Sequence, residues 1–268
     1  MNIENQEDSQ KYYEQFIEEL NKNIQEKKVF DKNEFIENIK IVEEYSLDKK
    51  KIFGLFSNPK FFLEYLSQNT TEAIGYTPEE IYKKGLIFAF STAHWKQLPT
   101  AVKVFKWGNR FREVLDNKVP IVHQEAYFCG LKLKNKWGDF RTYFIKQKFL
   151  TATNNGYNPG LSFLEGEDIT SIFKGDYFWS RMTATYQDRF YCRAFFPYGK
   201  KREYNDLLST RELEILKLAI EQKSNTEISE LLGISKNTVE RHRKNMIARV
   251  GVIDMTALIR ICNLCGVI

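Results

Sequence analysis

Three helix starts in close succession constrain this chain more than any other feature. Ser209-Thr210-Arg211-Glu212 and Ser224-Asn225-Thr226-Glu227 are capping boxes, in which a serine hydroxyl and the glutamate three residues on satisfy backbone N–H groups reciprocally. The first opens a helix with Leu213, Leu216 and Ile220 on one side, and the second opens a short one with Ile228, Leu231 and Leu232. Gly233 stands where the chain must turn, and glycine accepts the positive φ that such turns use. Ser235 caps a third helix running to about Val250, Gly251 stops it, and a fourth runs from about Met255 to Cys265. A short helix, a tight glycine turn and a longer basic helix make a helix-turn-helix. Residues 207–268 are therefore predicted to form an all-α domain of four helices.

The third helix can be read by angle at about 3.6 residues per turn. Val239, Met246, Ile247 and Val250 fall on one face and are predicted to point inward. Asn237, Arg241, Lys244 and Ala248 fall on the opposite face, flanked by Glu240 and Asn245. The charge distribution agrees. The whole chain carries a mild +5 and residues 1–50 carry −5, yet Lys236, Arg241, Arg243, Lys244 and Arg249 face only Glu240 across 234–249, a net +4. Such a cluster is most often a solvated helix face. Here it lies on a rod thin enough for the major groove, where Arg241 can bridge guanine, Asn237 or Asn245 can pair with adenine, and Glu240 can accept from cytosine. The helix start, with Ser235, Lys236 and Thr238, suits a phosphate. Arg243 falls inward by angle and is expected to snorkel or form an ion pair.

The rest of the chain changes character twice. Residues 10–47 read as two helices, the first on the stripe Tyr13, Ile17, Leu20 and Ile24, the second opened by Asp31-Lys32-Asn33-Glu34 and carrying Phe35, Ile39 and Val42. From 51 to 173, aromatic and β-branched residues cluster between turn signals. Ile52–Phe56 and Phe61–Tyr65 are short candidate strands around Asn58-Pro59. Thr77-Pro78-Glu79-Glu80 opens a helix, and residues 92–116, with Val102, Phe105 and Phe111, read as a longer one. Two strands, about 120–134 and 139–150, meet at Trp137-Gly138-Asp139, and Leu161–Leu164 is a third. Residues 174–206 read as an irregular or hairpin connector with a turn at Gln187-Asp188 and an exposed basic stretch at Tyr198–Arg202.

Two resemblances follow from these residues. Asn69, Ala73-Ile74-Gly75-Tyr76-Thr77-Pro78-Glu79-Glu80-Ile81, the Trp137-Gly138-Asp139-Phe140 hairpin and Asp168-Ile169-Thr170 resemble a PAS domain. That resemblance implies an α+β fold, a five-stranded antiparallel sheet with helices over one face, enclosing a space for a ligand. Leu208-Ser209-Thr210-Arg211-Glu212, Ser224-Asn225, Glu227-Ile228, Leu232-Gly233-Ile234-Ser235, Thr238-Val239, His242, Asn245 and Val250-Gly251-Val252 resemble the LuxR-type DNA-binding domain. In that family the third helix enters the major groove and the fourth often contributes to dimerisation. Glu240 departs from the family, which commonly has lysine there.

The chain thus divides into an N-terminal helical segment (1–50), a PAS-like sensor domain (51–173), a connector (174–206) and a LuxR-type domain (207–268). The expected DNA-contacting set is Asn225, Thr226, Ser235, Lys236, Asn237, Thr238, Glu240, Arg241, His242, Lys244 and Asn245. The expected function is sequence-specific transcription regulation by a homodimer on double-stranded DNA, with a small-molecule ligand and RNA polymerase as further candidate partners. The alternative is a protein-interaction module with vestigial DNA contact, which Glu240 favours. No P-loop, nucleophile elbow or kinase motif set is present, and no enzyme is expected. Cys262-Asn263-Leu264-Cys265 lacks a second ligand pair and reads as packing, and neither a metal nor a cofactor is expected. His94 and His123 are candidate haem ligands, but an isolated histidine is usually structural and they read so; Phe53, Phe88, Phe90, Trp95, Phe105, Trp107 and Phe144 are candidate pocket lining but read for the most part as plain core. The polar, acidic start Met1–Asp8 and the lack of a long apolar run point to a cytoplasmic chain away from membranes.

Overall fold

A computed structural model describes residues 15, 18, 30–45, 51–58, 62–85, 88, 91–115, 118–153, 159–198 and 202–268. The expected helix on Tyr13, Ile17, Leu20 and Ile24 lies outside them, as do Pro59, Phe61, Phe90 and residues 199–201 of the basic stretch.

The centre of the molecule is one antiparallel sheet. Its strands are β1 (Ile52–Ser57), β2 (Phe62–Leu66), β3 (Gln124–Lys134), β4 (Phe140–Phe149), β5 (Leu161–Asp168), β6 (Trp179–Tyr186), β7 (Arg189–Phe195) and β8 (Glu203–Tyr204). They lie in the order β2-β1-β5-β4-β3-β6-β7-β8. The expectation of five strands is corrected to eight, because residues 174–206 extend the sheet. The physical reason is the edge that β3 would otherwise present, a long row of unpaired backbone groups. The β6–β7 hairpin covers it, in register from Gln124 opposite Ala184 to Cys129 opposite Trp179. Gln187-Asp188 is the turn, with φ of 49° and 59°, the two positive values of a type I′ hairpin.

Side chains alternate between the two faces of the strands. The inner face carries α2 (Thr70–Ile74), α3 (Pro78–Lys84) and α4 (Leu98–Val114). Against it, Ala126, Met182 and Phe195 pack with Trp107 and Phe111, and Tyr143 packs with Ile74 and Ile81. Between α4 and the sheet lies a cavity of about 630 Å³. The expected longer helix begins as a short 3-10 turn, Trp95–Gln97, before α4. The capping box at Thr77 forms as read, Thr77 Oγ1 accepting from the Glu80 amide.

The outer face holds two bodies. Toward β1 and β5, α1 (Lys32–Tyr45) lays Phe35, Ile39 and Val42 on Phe53, Leu55 and Phe163. Asp31 caps it, accepting from the Asn33 and Glu34 amides. Toward β3, β4, β6 and β7 sits the C-terminal domain: α5 (Thr210–Ile220), α6 (Asn225–Leu232), α7 (Lys236–Val250) and α8 (Met255–Leu264). Tyr127, Cys129, Phe144, Trp179 and Ala194 of the sheet share one apolar cluster with Val250, Val252, Leu258, Ile261 and Cys262.

Polar contacts fix this docking. Arg181, 2% exposed, donates from Nε to Asp206 Oδ1 at 2.7 Å and from Nη1 to the Cys265 carbonyl at 2.7 Å. Arg260 pairs with Glu167. The ring of Phe173 sits among Gly130, Gly175 and Gly251, where an added Cβ would approach it to 2.6, 2.9 and 3.0 Å. Burial alone would raise the Asp206 carboxyl, but the hydrogen bonds and charge of Arg181 outweigh it and hold the group below its ordinary range. A lowered folded-state value contributes stability above the unfolded value, about pH 4, which is lost as the pH falls through the folded one. Asp206→Asn, which leaves a buried guanidinium without its counter-charge, is expected to cost about 3 kcal/mol in urea unfolding at pH 7 and to flatten the acid limb of stability.

Candidate nucleic-acid interface

The site is built on serine caps. Ser209 Oγ accepts from the Glu212 amide at 3.4 Å and Ser224 Oγ from the Glu227 amide at 3.2 Å, each glutamate returning to the serine amide. Gly233, with φ 62° in the left-handed region, ends α6. Ser235 Oγ accepts from the Thr238 amide at 3.1 Å and starts α7. Ile215, Leu216, Ile228, Val239, Met246 and Val250 are buried together, so α7 is held by the inner face that its angles predict. Ile247 of that face is half-buried.

The opposite face is open. Asn237, Arg241, Lys244 and Ala248, one row along α7, are all exposed, as are Lys236 and Asn245. Glu240 beside them is half-buried, and so are Thr238 and His242. Among the described residues, the side chains of Lys236, Asn237, Arg241, Lys244 and Asn245 are neither hydrogen-bonded nor ion-paired. Thr226 is exposed at the start of α6. Asn225 is engaged inside the domain, its Oδ1 accepting from Arg243 Nη1 at 2.5 Å. Arg243, expected to turn inward, does so through that bond. Ser235 is exposed, but its hydroxyl is spent on Thr238.

The other arginines of this domain are engaged within the chain, Arg260 with Glu167 of β5 and the rest inside the domain. Arg249 pairs with Glu212 at 2.6 Å and donates to the Leu207 carbonyl at 3.2 Å. Burial would raise the Glu212 carboxyl, yet Arg249 and the Ser209 amide hold it below its ordinary range. Arg211 reaches Glu214 and the Leu232 carbonyl. Of the five cations read along 234–249, Lys236, Arg241 and Lys244 are therefore left facing solvent.

What sequence reading missed is the far end of α7. Tyr177 Oη lies 3.0 Å from both the Ala248 and Arg249 carbonyls, Trp179 Nε1 donates to the Val250 carbonyl at 2.9 Å, and the Lys174 and Gly175 amides donate to Gly251. Tyr177 and Trp179 are two residues apart on one stretch of chain, spacing that puts both on one side of a strand. That spacing was the available signal.

The remaining candidates separate from this surface. Cys262 and Cys265 are buried and free, and burial pushes the Cys262 thiol up to about 12. His94 accepts from the Lys96 amide and His123 lies against Tyr186; neither lines the cavity. The aromatics read as plain core for the most part hold that role. Phe53 packs on α1, Trp107 on Phe195, and Phe144 on the C-terminal domain, while Trp95 is exposed. Phe88 packs against α2 and α3. Phe53, Trp107 and Phe144 are thus core, and Phe88 also borders a smaller cavity of about 160 Å³. The side chain of Phe105 is not among those described. Among the described residues no helix is long and apolar enough to cross a membrane. Arg249→Ala is expected to destabilise the domain by about 3 kcal/mol in thermal or urea unfolding, whereas Lys244→Ala, which breaks no contact, is expected to leave stability unchanged.

Comparison with known proteins falls on this same segment. Residues 206–262 match the family model described as bacterial regulatory proteins, luxR family. The transcriptional regulatory protein MctR of Rhizobium johnstonii is 45% identical over 58 residues, 22% of this chain and 27% of that one. The transcriptional regulatory protein TdiR of Thauera aromatica is 45% identical over 57 residues, 20% of this chain and 25% of that one. The chain thus matches about a quarter of the length of these relatives. Among solved structures, the phage VqmA–DPO complex aligns over 85% of this chain and 89% of that one at 15% identity and a TM-score of 0.28. Residues 206–262 are a helix-turn-helix domain of the luxR family of bacterial regulatory proteins.

Proposed function

We propose that the chain is a DNA-binding transcriptional regulator, non-enzymatic and cytoplasmic, whose α7 reads the major groove and whose sheet domain senses a signal. One observation carries this reading. Every arginine of the C-terminal domain outside the exposed row is spent on an internal partner, while Lys236, Arg241 and Lys244 stand free beside Asn237 and Asn245 on a rigid, capped helix. Free cations on one face supply phosphate contacts, and the arginine and asparagines supply bidentate donors for base edges. Asn225 and Ser235, already engaged within the domain, act through the shape of the turn, and Thr226, Thr238 and His242 flank the row.

A homodimer would set two such helices about 34 Å apart, in successive major grooves. Its contact surface is not the buried side of α8, since Ala257, Leu258, Ile261 and Cys262 are covered within the chain. A signal acts on this arrangement only through different affinity for two states of it.

DNA selected from a random pool provides the operator for the test. Lys244→Ala is expected to weaken binding on all sequences and to lower the slope of log affinity against log salt by about one. Arg241→Ala is expected in addition to relax base preference by about 1–3 kcal/mol at one position. Unchanged binding by both variants in a gel shift would overturn the assignment of this face and favour a protein-interaction role.

A further inference from the structure

The cavity between α4 and the inner face of the sheet is large enough for a small metabolite. Its walls are mostly apolar, with Phe56, Phe128, Ile145 and Met182 among them. Asn58, Arg112, Gln147, Thr153 and Ser180 interrupt that character, and two of them hold a buried polar atom without a partner. Ser180, 1% exposed on β6, has its hydroxyl buried with no hydrogen-bond partner. Arg112, near the end of α4, has a buried Nε with no partner. Its Nη1 donates to Asn109 Oδ1 at 2.9 Å, and its guanidinium lies 5.6 Å from the centre of the Phe149 ring. Among the described residues it has no carboxylate partner. No other charged side chain among the described residues lines the cavity.

Arg112 is half-buried, and a cation drawn out of water without a counter-charge is costly. Burial draws the Arg112 pKa down, but an arginine keeps its proton at neutral pH, so the cavity holds a fixed positive charge. The aromatic face of Phe149 offsets only part of that cost. A guanidinium presents a planar fork that matches a carboxylate, and Ser180 offers one further donor. Gln147 stands apart from that role, since its amide donors already serve Asn58 and Ser162.

We propose that this cavity binds a small monocarboxylate with an apolar body, its carboxylate on Arg112 and its hydrocarbon among the apolar walls. The proposal rests on the reading of the sheet domain as the sensor. It goes further by naming the chemical class of the signal and the residue that selects it.

The test is calorimetric titration of the full chain with octanoate and 3-phenylpropanoate, each against its isosteric primary amide. Either acid is expected to bind at least about tenfold more tightly than its amide, the worth of a charge-assisted hydrogen bond. Which acid binds decides between an aliphatic and an aromatic body. Arg112→Met is expected to abolish the preference for acid over amide. Equal binding of acid and amide, no binding of either acid, or an undiminished preference in Arg112→Met would overturn the proposal. If Arg112→Met does not fold, the comparison on the unaltered chain still decides. The gel shift is run separately without acid, so failure of the cavity leaves the α7 reading standing, and failure of the gel shift leaves the titration standing.

Discussion

The last carbonyls of an α-helix have no partner within the helix, and the way α7 disposes of its own sets the arrangement of this chain. Tyr177, Trp179 and the amides of Lys174 and Gly175 take the carbonyls of residues 248–251. These donors belong to the segment that leads into and begins β6. A helix that ended in water would leave the C-terminal domain free to tumble. Here its end is satisfied only in one position against the sheet, and Arg181 bonding to Asp206 and to the last turn of α8 fixes the same position again.

β6 is therefore a two-sided element. By strand alternation, Ser180 and Met182 look into the cavity while Trp179 and Arg181 hold the C-terminal domain. Neighbouring residues on one backbone thus serve opposite faces, with no loop between them. Interiors are close-packed and transmit strain, so a displacement of β6 by an occupant of the cavity has a direct route to the end of α7. The route is made of the hydrogen bonds from Trp179 to Val250 and from Arg181 to Cys265.

The parts of this design written in local sequence were legible. Capping boxes at Ser209, Ser224 and Thr77 are short-range chemistry, and all three form as read. The faces of α7 follow from helical angle alone, down to the inward turn of Arg243. The eight-stranded sheet was legible only in part: a hairpin turning at Gln187-Asp188 is among the readings of the sequence, but not its pairing with β3, because β6 buries residues on both faces from Trp179 to Ala184 and so lacks a polar alternation to announce a half-exposed strand. The split between free and engaged cations was hidden as well. Arg241 and Arg249 look alike in sequence, and only distant partners, Glu212 and the Leu207 carbonyl, separate them. The cavity lining escaped for the same reason: its rings are Phe56, Phe128, Phe149 and Phe178, none of them among the aromatics singled out in the sequence as candidate lining, and the one charged side chain described there is Arg112.

Phe173 adds a consequence for how such chains diverge. Its ring fills a socket floored by three glycines from three separate stretches, one of them the stop signal of α7. Gly251 thereby answers to two requirements, a left-handed backbone for its own helix and bare space for a ring from the sheet domain. A recombinant that transplanted residues 206–268 onto an unrelated partner would carry an empty socket, naked Val252 and Ile261, and three or four thirsty carbonyls. Residues 206–268 of this chain are thus fitted to this particular sheet, and a new partner would have to refill that socket and those bonds.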